Sequence, residues 1–324
     1  MRIALVYDCI HPPTVGGAER WLRALAEDLS RDHDVTYLTR HQWAPGQEPI
    51  AGVRCVAVSP GGPLTDAAGR RRILPMVSFG AGVLVHLQRH RRDYAVERCL
   101  SYPYLSVLGA RLALAGRRAP AFLVEWLECL TPGYWRWYAG RLAGTAGSLV
   151  QWLCVRATPA AICFSQHTER RLVATGLRGS VRRLGGLWDG EAPADNPSAS
   201  AAQPPFLLFA GRHVPDKQVT AIPAALSRAR MKHPSLRAVL VGEGPCRGQV
   251  QAEVARLGLD EAVDMPGFVT RGRLDDLMAA AVCVVAPSRR DGHGMVVAEA
   301  AAAGTPVVAV VGPDTALPSS SRKA

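Results

Sequence analysis

Short apolar runs closed by glycine, proline or polar turns alternate along this chain with longer stretches whose apolar positions fall at helical spacing. Residues 2–10 read as a buried strand, followed by the turn residues His11 to Gly17 and a helix over about 18–31. That helix carries Trp21, Leu22, Leu25 and Leu29 on one face. Residues 35–39 and 53–58 read as the next two strands. The pattern then predicts a helix over 67–92, a strand over 97–102, a helix over 105–114 and a strand over 121–128. The aromatic segment Tyr134-Trp135-Arg136-Trp137-Tyr138 leads a helix to about 156, and a strand at 160–164 and a helix at 167–174 follow. From Gly185 to Pro205 glycine, proline, serine, asparagine and alanine accumulate as they do in linkers. Phe206 restarts the alternation with a strand over 206–210. Val282 to Ala286 form another, a helix runs from Met295 to Ala303 with Gly304 as its C′ residue, and a strand starts at Val307. Strand–helix alternation of this kind predicts parallel sheets. The fold class is α/β, with one domain over 1–184, a linker over 185–205 and a second domain over 206–324.

At 324 residues the chain is long enough for two such domains, and 48% hydrophobic residues suffice for their cores. A net charge of +11 adds a preference for anionic partners: nucleoside diphosphates, anionic lipid surfaces or nucleic acid. No nucleic-acid-binding module is recognisable, so nucleic acid is set aside. Arg70, Arg71 and Arg72, then His86, Arg89, His90, Arg91 and Arg92, give the 67–92 helix a basic face. It reads either as a solvated face or as a contact for anionic headgroups or a phosphorylated acceptor. The eight cysteines show no C-x-x-C spacing and suit reduced thiols. The N-terminus has no signal-peptide layout, and no run of eighteen apolar residues occurs. The expected location is cytoplasmic, with peripheral contact at the inner face of a membrane as an added reading.

Candidate chemistry gathers at Asp291-Gly292-His293-Gly294, between the strand ending at Ala286 and the helix from Met295. Backbone N–H groups at a helix start attract anions, and glycines let a ligand approach the backbone. Glu299 follows one and a half turns on, roughly 7–8 Å along the axis at 1.5 Å per residue. Two carboxylates flanking a row of amide donors suit a nucleotide sugar, with hydroxyls at its ends and phosphates between. A plain turn with a solvated Asp and Glu fits the same spacing. Gly16-Gly17 repeats the arrangement after the first strand, with the same two readings. Arg212 and Lys217 follow the 206–210 strand and offer a planar fork and a compact charge to a diphosphate. Glu125 and Glu128 end a strand where open α/β sheets place ligands. The one D-x-D, Asp32-His33-Asp34, lies at a helix-to-strand turn, and no metal site is expected.

Pro287-Ser288-Arg289-Arg290-Asp291-Gly292-His293-Gly294, then Glu299-Ala300 and Gly304-Thr305-Pro306-Val307-Val308, resembles the E-x7-E region of the retaining GT-B glycosyltransferases of family 4, the group 1 glycosyltransferases. Asp291 stands where the family has its first glutamate. Gly211-Arg212 through Lys217 resembles the family's G-R-x-x-x-x-K-G, with Gln218 in place of the last glycine. Gly16-Gly17-Ala18-Glu19-Arg20 resembles its first phosphate loop. Leu240 to Pro245 and Met265 to Val269 are also similar. The resemblance implies two Rossmann-like domains and hexosyl transfer from a nucleoside-diphosphate sugar to an acceptor hydroxyl with retention. Arg212, Lys217 and Asp291 would be catalytic, while Gly16, Gly17, Gly294, Met295, Val296 and Glu299 would hold the donor. The nucleotide sugar is a substrate and no cofactor is implied. The acceptor, whether lipid-linked sugar, glycan or small molecule, is left open, and no histidine falls between His90 and His167 to serve on its side.

Past Val311 the resemblance stops, and Ser319 to Ala324 shows no apolar period. The expectation is a second domain incomplete at its C-terminal end, with low solubility and little turnover. A non-catalytic nucleotide-binding or membrane-surface remnant is the alternative reading. A nicotinamide-dependent oxidoreductase would need G-x-G-x-x-G after the first strand, which Gly16-Gly17 does not supply.

Overall fold

The computed structural model describes residues 1–14, 16–44, 46–66, 71–116, 119–184, 204–292 and 294–316. The expected linker lies outside them except for its last two residues, as do Arg70, His293 and the tail from residue 317. The chain divides into two units, one of residues 1–66 and 70–189 and one of 67–69 and 190–324.

The first unit runs β1 (Arg2–Val6), α1 (Gly17–Leu29), β2 (Asp34–Arg40), β3 (Arg54–Ser59), α2 (Ile73–His90), β4 (Val96–Leu100), α3 (Tyr104–Ala113), β5 (Ala121–Trp126), α4 (Pro132–Ala139), α5 (Arg141–Ala157), β6 (Ala160–Cys163), α6 (Gln166–Thr175) and β7 (Ser180–Arg183). Its strands form one seven-stranded sheet in the order β3-β2-β1-β4-β5-β6-β7, and its strand pairings are parallel. Such strands are buried on both faces, which is why they read as continuous apolar runs. Leu22 and Ala26 of α1 cover one face together with Ile3, Leu5 and Tyr37. Phe79, Val83 and Leu87 of α2, Val107 of α3 and Val155 of α5 cover the other, around Trp126.

Two sequence expectations change here. The helix read over 67–92 begins at Ile73, and α2 packs against α3 so closely that a Cβ on Gly109 would lie 2.5 Å from the Gly80 carbonyl oxygen. Arg71 leaves the supposed basic face altogether, as described below. The helix read as continuous to 156 is broken at Gly140, whose φ of 83° is left-handed, so α4 and α5 are separate elements.

Glu97 of β4 is fully buried, and neither carboxyl oxygen has a hydrogen-bond partner. Burial alone pushes its carboxyl up to about 8. The folded protein therefore keeps a proton that the unfolded chain releases near 4.5. Its contribution to stability is full below 4.5, falls as pH rises through about 8, and is level beyond. Glu97→Gln should flatten a slope that approaches about 1.4 kcal/mol per pH unit. Urea denaturation of both proteins across that window checks this, and an unchanged slope in the variant would assign the effect to another group.

The second unit runs β8 (Phe206–Ala210), α7 (Ile222–Arg230), β9 (Arg237–Val241), α8 (Arg247–Arg256), β10 (Val263–Gly267), α9 (Arg271–Ala280), β11 (Cys283–Ala286), β12 (Arg290–Asp291), α10 (Met295–Ala302), β13 (Val307–Ala309) and β14 (Asp314–Thr315). Five strands form a parallel sheet in the order β10-β9-β8-β11-β13. Ile222, Leu226 and Val250 pack on one side and Leu277, Met278 and Ala300 on the other. Gly304 ends α10 at φ 70°, the left-handed C′ position the sequence predicts. Past Val311, where the resemblance stops, the chain is still folded as far as it is described: β14 pairs with β12, and Ala316 is buried.

Candidate functional site

In the second unit the chain leaves β8 for β9 on one side and returns to β11 on the other. The loops after β8 and β11 therefore open a crevice at the carboxyl ends of the strands, the place where open α/β sheets bind ligands. These two loops are tied together. The Arg289 N–H donates to the Asp216 carbonyl at 2.8 Å, Arg290 Nη1 lies 3.7 Å from Asp216 Oδ2, and Lys217 Nζ donates to Asp291 Oδ2 at 2.6 Å. On the far side the Ala316 N–H donates to the Asp291 carbonyl at 2.7 Å, so the β12–β14 pair braces the same loop.

The loop after β8 makes two 3₁₀ turns, Pro215–Lys217 and Val219–Ala221, joined through Gln218 at φ 48°. A residue other than glycine carries the left-handed conformation there. Arg212 is exposed, and its side chain has no hydrogen bond or ion pair among the described residues. His213 beside it is buried, and neither ring nitrogen has a partner. Burial, then the nearby Arg247, lowers its pKa and keeps the ring neutral. Gly244 must stay small, since a Cβ would meet the His213 carbonyl oxygen at 2.5 Å and its backbone nitrogen at 3.0 Å.

On the β11 side, Gly294 caps α10 in the left-handed region, φ 71° and ψ 51°. Met295 and Val296 open the helix and supply first-turn N–H groups, which have no carbonyl four residues back within the helix. Asp291 Oδ1 accepts from the Gly294 N–H at 2.7 Å, so both carboxylate oxygens of Asp291 are engaged by its own chain. The carboxylate folds over its own loop. Glu299 is 5% exposed and accepts from Arg271 Nη1 at 2.8 Å, while Arg271 Nε donates to Asp275 at 3.0 Å. Arg271, the first residue of α9, was missed in the sequence because nothing local marks it as a partner of a residue on another helix.

The structure thus brings Lys217, Asp291 and Gly294 into one bonded group, with Met295 and Val296 following and Glu299 on the same helix. Gly16 and Gly17 belong to the other unit. Gly16 caps α1 in extended backbone, φ −175°, and the Glu19 carboxylate folds back against it, so any Cβ there would clash with Glu19 Oε2. Glu19 Oε1 also accepts from the Tyr7 hydroxyl at 2.9 Å. The start of α1 is therefore faced by the chain's own carboxylate.

Two further features of the first unit correct the sequence reading. Glu125, offered as an acceptor-side carboxylate, is fully buried. Arg98 donates to it at 2.7 Å and the Trp21 indole N–H donates as well. Burial raises its pKa, and the Arg98 charge opposes that. Glu128 is half-buried. Arg71, expected on a basic surface, turns inward: Nη1 donates to the buried Asp8 at 2.6 Å, and the guanidinium lies 5.2 Å from the Tyr102 ring centroid. Asp32 and Asp34 are both exposed, and among the described residues no group of three His, Cys, Asp or Glu is placed to hold a metal. Among the same residues no helix is long and apolar enough to cross a membrane.

Comparison with known proteins gives the site a context. Residues 192–315 match the model of the family described as glycosyl transferases group 1. The chain is similar to a glycogen synthase of Mycobacterium tuberculosis, 28% identical over 95% of this chain and 77% of that protein. It is also similar to a D-inositol 3-phosphate glycosyltransferase of Streptomyces griseus subsp. griseus, 37% identical over 32% of this chain and 24% of that one. The fold matches sucrose-phosphate synthase from Thermosynechococcus elongatus with a TM-score of 0.72 at 22% identity, covering 96% of this chain and 82% of that one. It matches Anabaena HepE, solved in complex with UDP and glucose, with a TM-score of 0.71 at 19% identity, covering 95% and 80%. The chain has the two-unit α/β fold of the GT-B glycosyltransferase structures, and its residues 192–315 match the group 1 glycosyl transferase model.

Proposed function

We propose that this chain transfers a sugar from a nucleoside-diphosphate sugar to an acceptor hydroxyl with retention of anomeric configuration. One observation carries the reading. Lys217 is fixed 2.6 Å from Asp291, on the loop that leads into the Gly294-capped helix, at the carboxyl ends of β8 and β11. A diphosphate laid over the start of α10 meets the Met295 and Val296 amides, the positive end of the helix and the Lys217 ammonium together. Arg212, exposed on the neighbouring loop, has an unengaged fork of donors for the phosphate that departs. Charge growing on the leaving phosphate is thus stabilised by preorganised donors. Glu299 would accept from ribose hydroxyls on exchanging Arg271, and Asp291 from the sugar on exchanging Lys217. The acceptor hydroxyl attacks on the face the nucleotide leaves. HepE, solved with UDP and glucose, supports a uridine-type donor as the first to try.

Arg212→Ala should leave folding stability within about 0.5 kcal/mol, since an exposed side chain with no partner contributes little. The same change should weaken nucleoside-diphosphate binding by roughly tenfold or more, the scale of one charged hydrogen bond. Thermal melts and calorimetry check the two halves, and unchanged affinity would place the diphosphate elsewhere. Retention is tested by NMR of the anomeric proton in the product, where an inverted product overturns that part of the reading.

A further inference from the structure

The carboxyl end of the first sheet holds a cluster that the proposed donor site does not use. β2 ends at Arg40, whose side chain is almost wholly buried at 3% exposure. Its Nε–H donates to the main-chain carbonyl of Asp8 at 3.1 Å and its Nη1–H to that of Gly62 at 3.0 Å. No carboxylate pairs with it among the described residues. The buried acid beside it, Asp8, has one oxygen on Arg71 at 2.6 Å and the other on the Cys9 thiol at 3.4 Å. A guanidinium stays charged in proteins, and a buried charge without a counter-charge is costly. Carbonyl dipoles hold this one in place without neutralising it.

Arg40 lines a cleft of about 280 Å³ whose other polar walls are Thr14, His41 and Gln42. Gln42 is oriented by three bonds from its Nε2, to the Asp8 and Arg40 carbonyls at 3.2 Å and to Thr39 Oγ1 at 3.1 Å, and its Oε1 accepts from Thr14 Oγ1 at 3.2 Å. The His41 ring is exposed beside Trp43, with centroids 5.2 Å apart. Among the described residues no carboxylate lines the cleft. A buried cation and an imidazole around a small cleft with no acid among the described residues of its walls are chemistry for an oxyanion.

We propose that this cleft binds a phosphate-type oxyanion, with Arg40 supplying the fixed charge and His41 supplying a hydrogen-bond donor. The ligand is either inorganic phosphate or the phosphomonoester of a sugar-sized molecule, and both present the same group to Arg40. Every residue involved lies in the first unit, so the inference stands independently of the donor site.

The test is calorimetric titration of inorganic phosphate and of glucose 6-phosphate into the full chain at fixed ionic strength. Saturable binding is expected. Arg40→Gln should weaken it roughly tenfold or more, the effect of losing one charged hydrogen bond. Arg40 also ties two main-chain carbonyls. His41→Phe leaves those bonds intact and should weaken binding about 3- to 10-fold, which tests the site even if Arg40→Gln does not fold. Tighter binding of glucose 6-phosphate identifies a phosphomonoester, and equal binding identifies the free anion. No saturable binding of either probe overturns the proposal. Binding that survives both variants yet is lost in Arg212→Ala overturns it as well, by placing the anion in the second unit.

Discussion

Lys217→Ala should weaken nucleoside-diphosphate binding by about 1.5–3 kcal/mol, or roughly 10- to 150-fold, the worth of a charged hydrogen bond. Two losses act together. The diphosphate loses the ammonium nearest the start of α10, and Asp291 loses the partner that neutralises it at 2.6 Å. The freed carboxylate then repels the anion that Lys217 attracted. Folding should suffer little, because Lys217 is 27% exposed and Asp291 13%, and partly exposed ion pairs are worth at most about 1 kcal/mol after solvent screening. Adding Asp291→Asn to Lys217→Ala should restore part of the affinity by removing that repulsion. Calorimetry on the three proteins decides it. Unchanged affinity in Lys217→Ala removes Lys217 from the site, and no recovery in the double variant removes the repulsion.

The largest expected loss of stability comes from Arg98→Met. Glu125 is fully buried, and Arg98, its ion-pair partner at 2.6 Å, is 13% exposed. Removing one partner of a buried pair strands the other charge and typically costs about 3–5 kcal/mol. The pH dependence has a definite sign. Burial already raises the Glu125 pKa, and taking away the Arg98 charge raises it further. A carboxyl with a raised folded-state pKa stabilises most below its unfolded value and loses that contribution as pH rises. The penalty of Arg98→Met should therefore shrink in mild acid and grow toward neutral pH. Arg98→Met combined with Glu125→Leu should regain most of the loss, since an apolar replacement of a buried pair is often neutral or better. Urea denaturation of the single and double variants at two pH values tests this. A single variant costing less than about 1 kcal/mol would mean that Glu125 finds another partner.

The sequence made the α/β alternation legible because strands of a parallel sheet are apolar on both faces. It also marked the ends of α10, which Gly294 and Gly304 bracket, and put Arg212 and Lys217 in the loop after β8. It did not show which charges pair. Arg71 read as part of a basic run, yet it crosses to Asp8; Arg98, Glu125, Arg271 and Glu299 likewise find partners far along the chain. A charged side chain looks the same in sequence whether water or a carboxylate receives it, and only the topology of the sheet decides. The β12–β14 brace was equally invisible, since two-residue strands carry no period. At Asp291 the motif gives the position of the carboxylate, and only the structure shows that it bonds Lys217 and the Gly294 N–H.

The central claim is that the crevice at the carboxyl ends of β8 and β11 holds a nucleoside-diphosphate sugar. The most direct measurement is calorimetric titration of UDP-, GDP-, ADP- and dTDP-sugars into the unaltered chain. The account predicts that at least one binds with a stoichiometry of one, and that the same ligand at 100 times its Kd raises unfolding stability by about 2.7 kcal/mol. Absence of saturable binding by all four, in a chain that is folded by its melting transition, would contradict it.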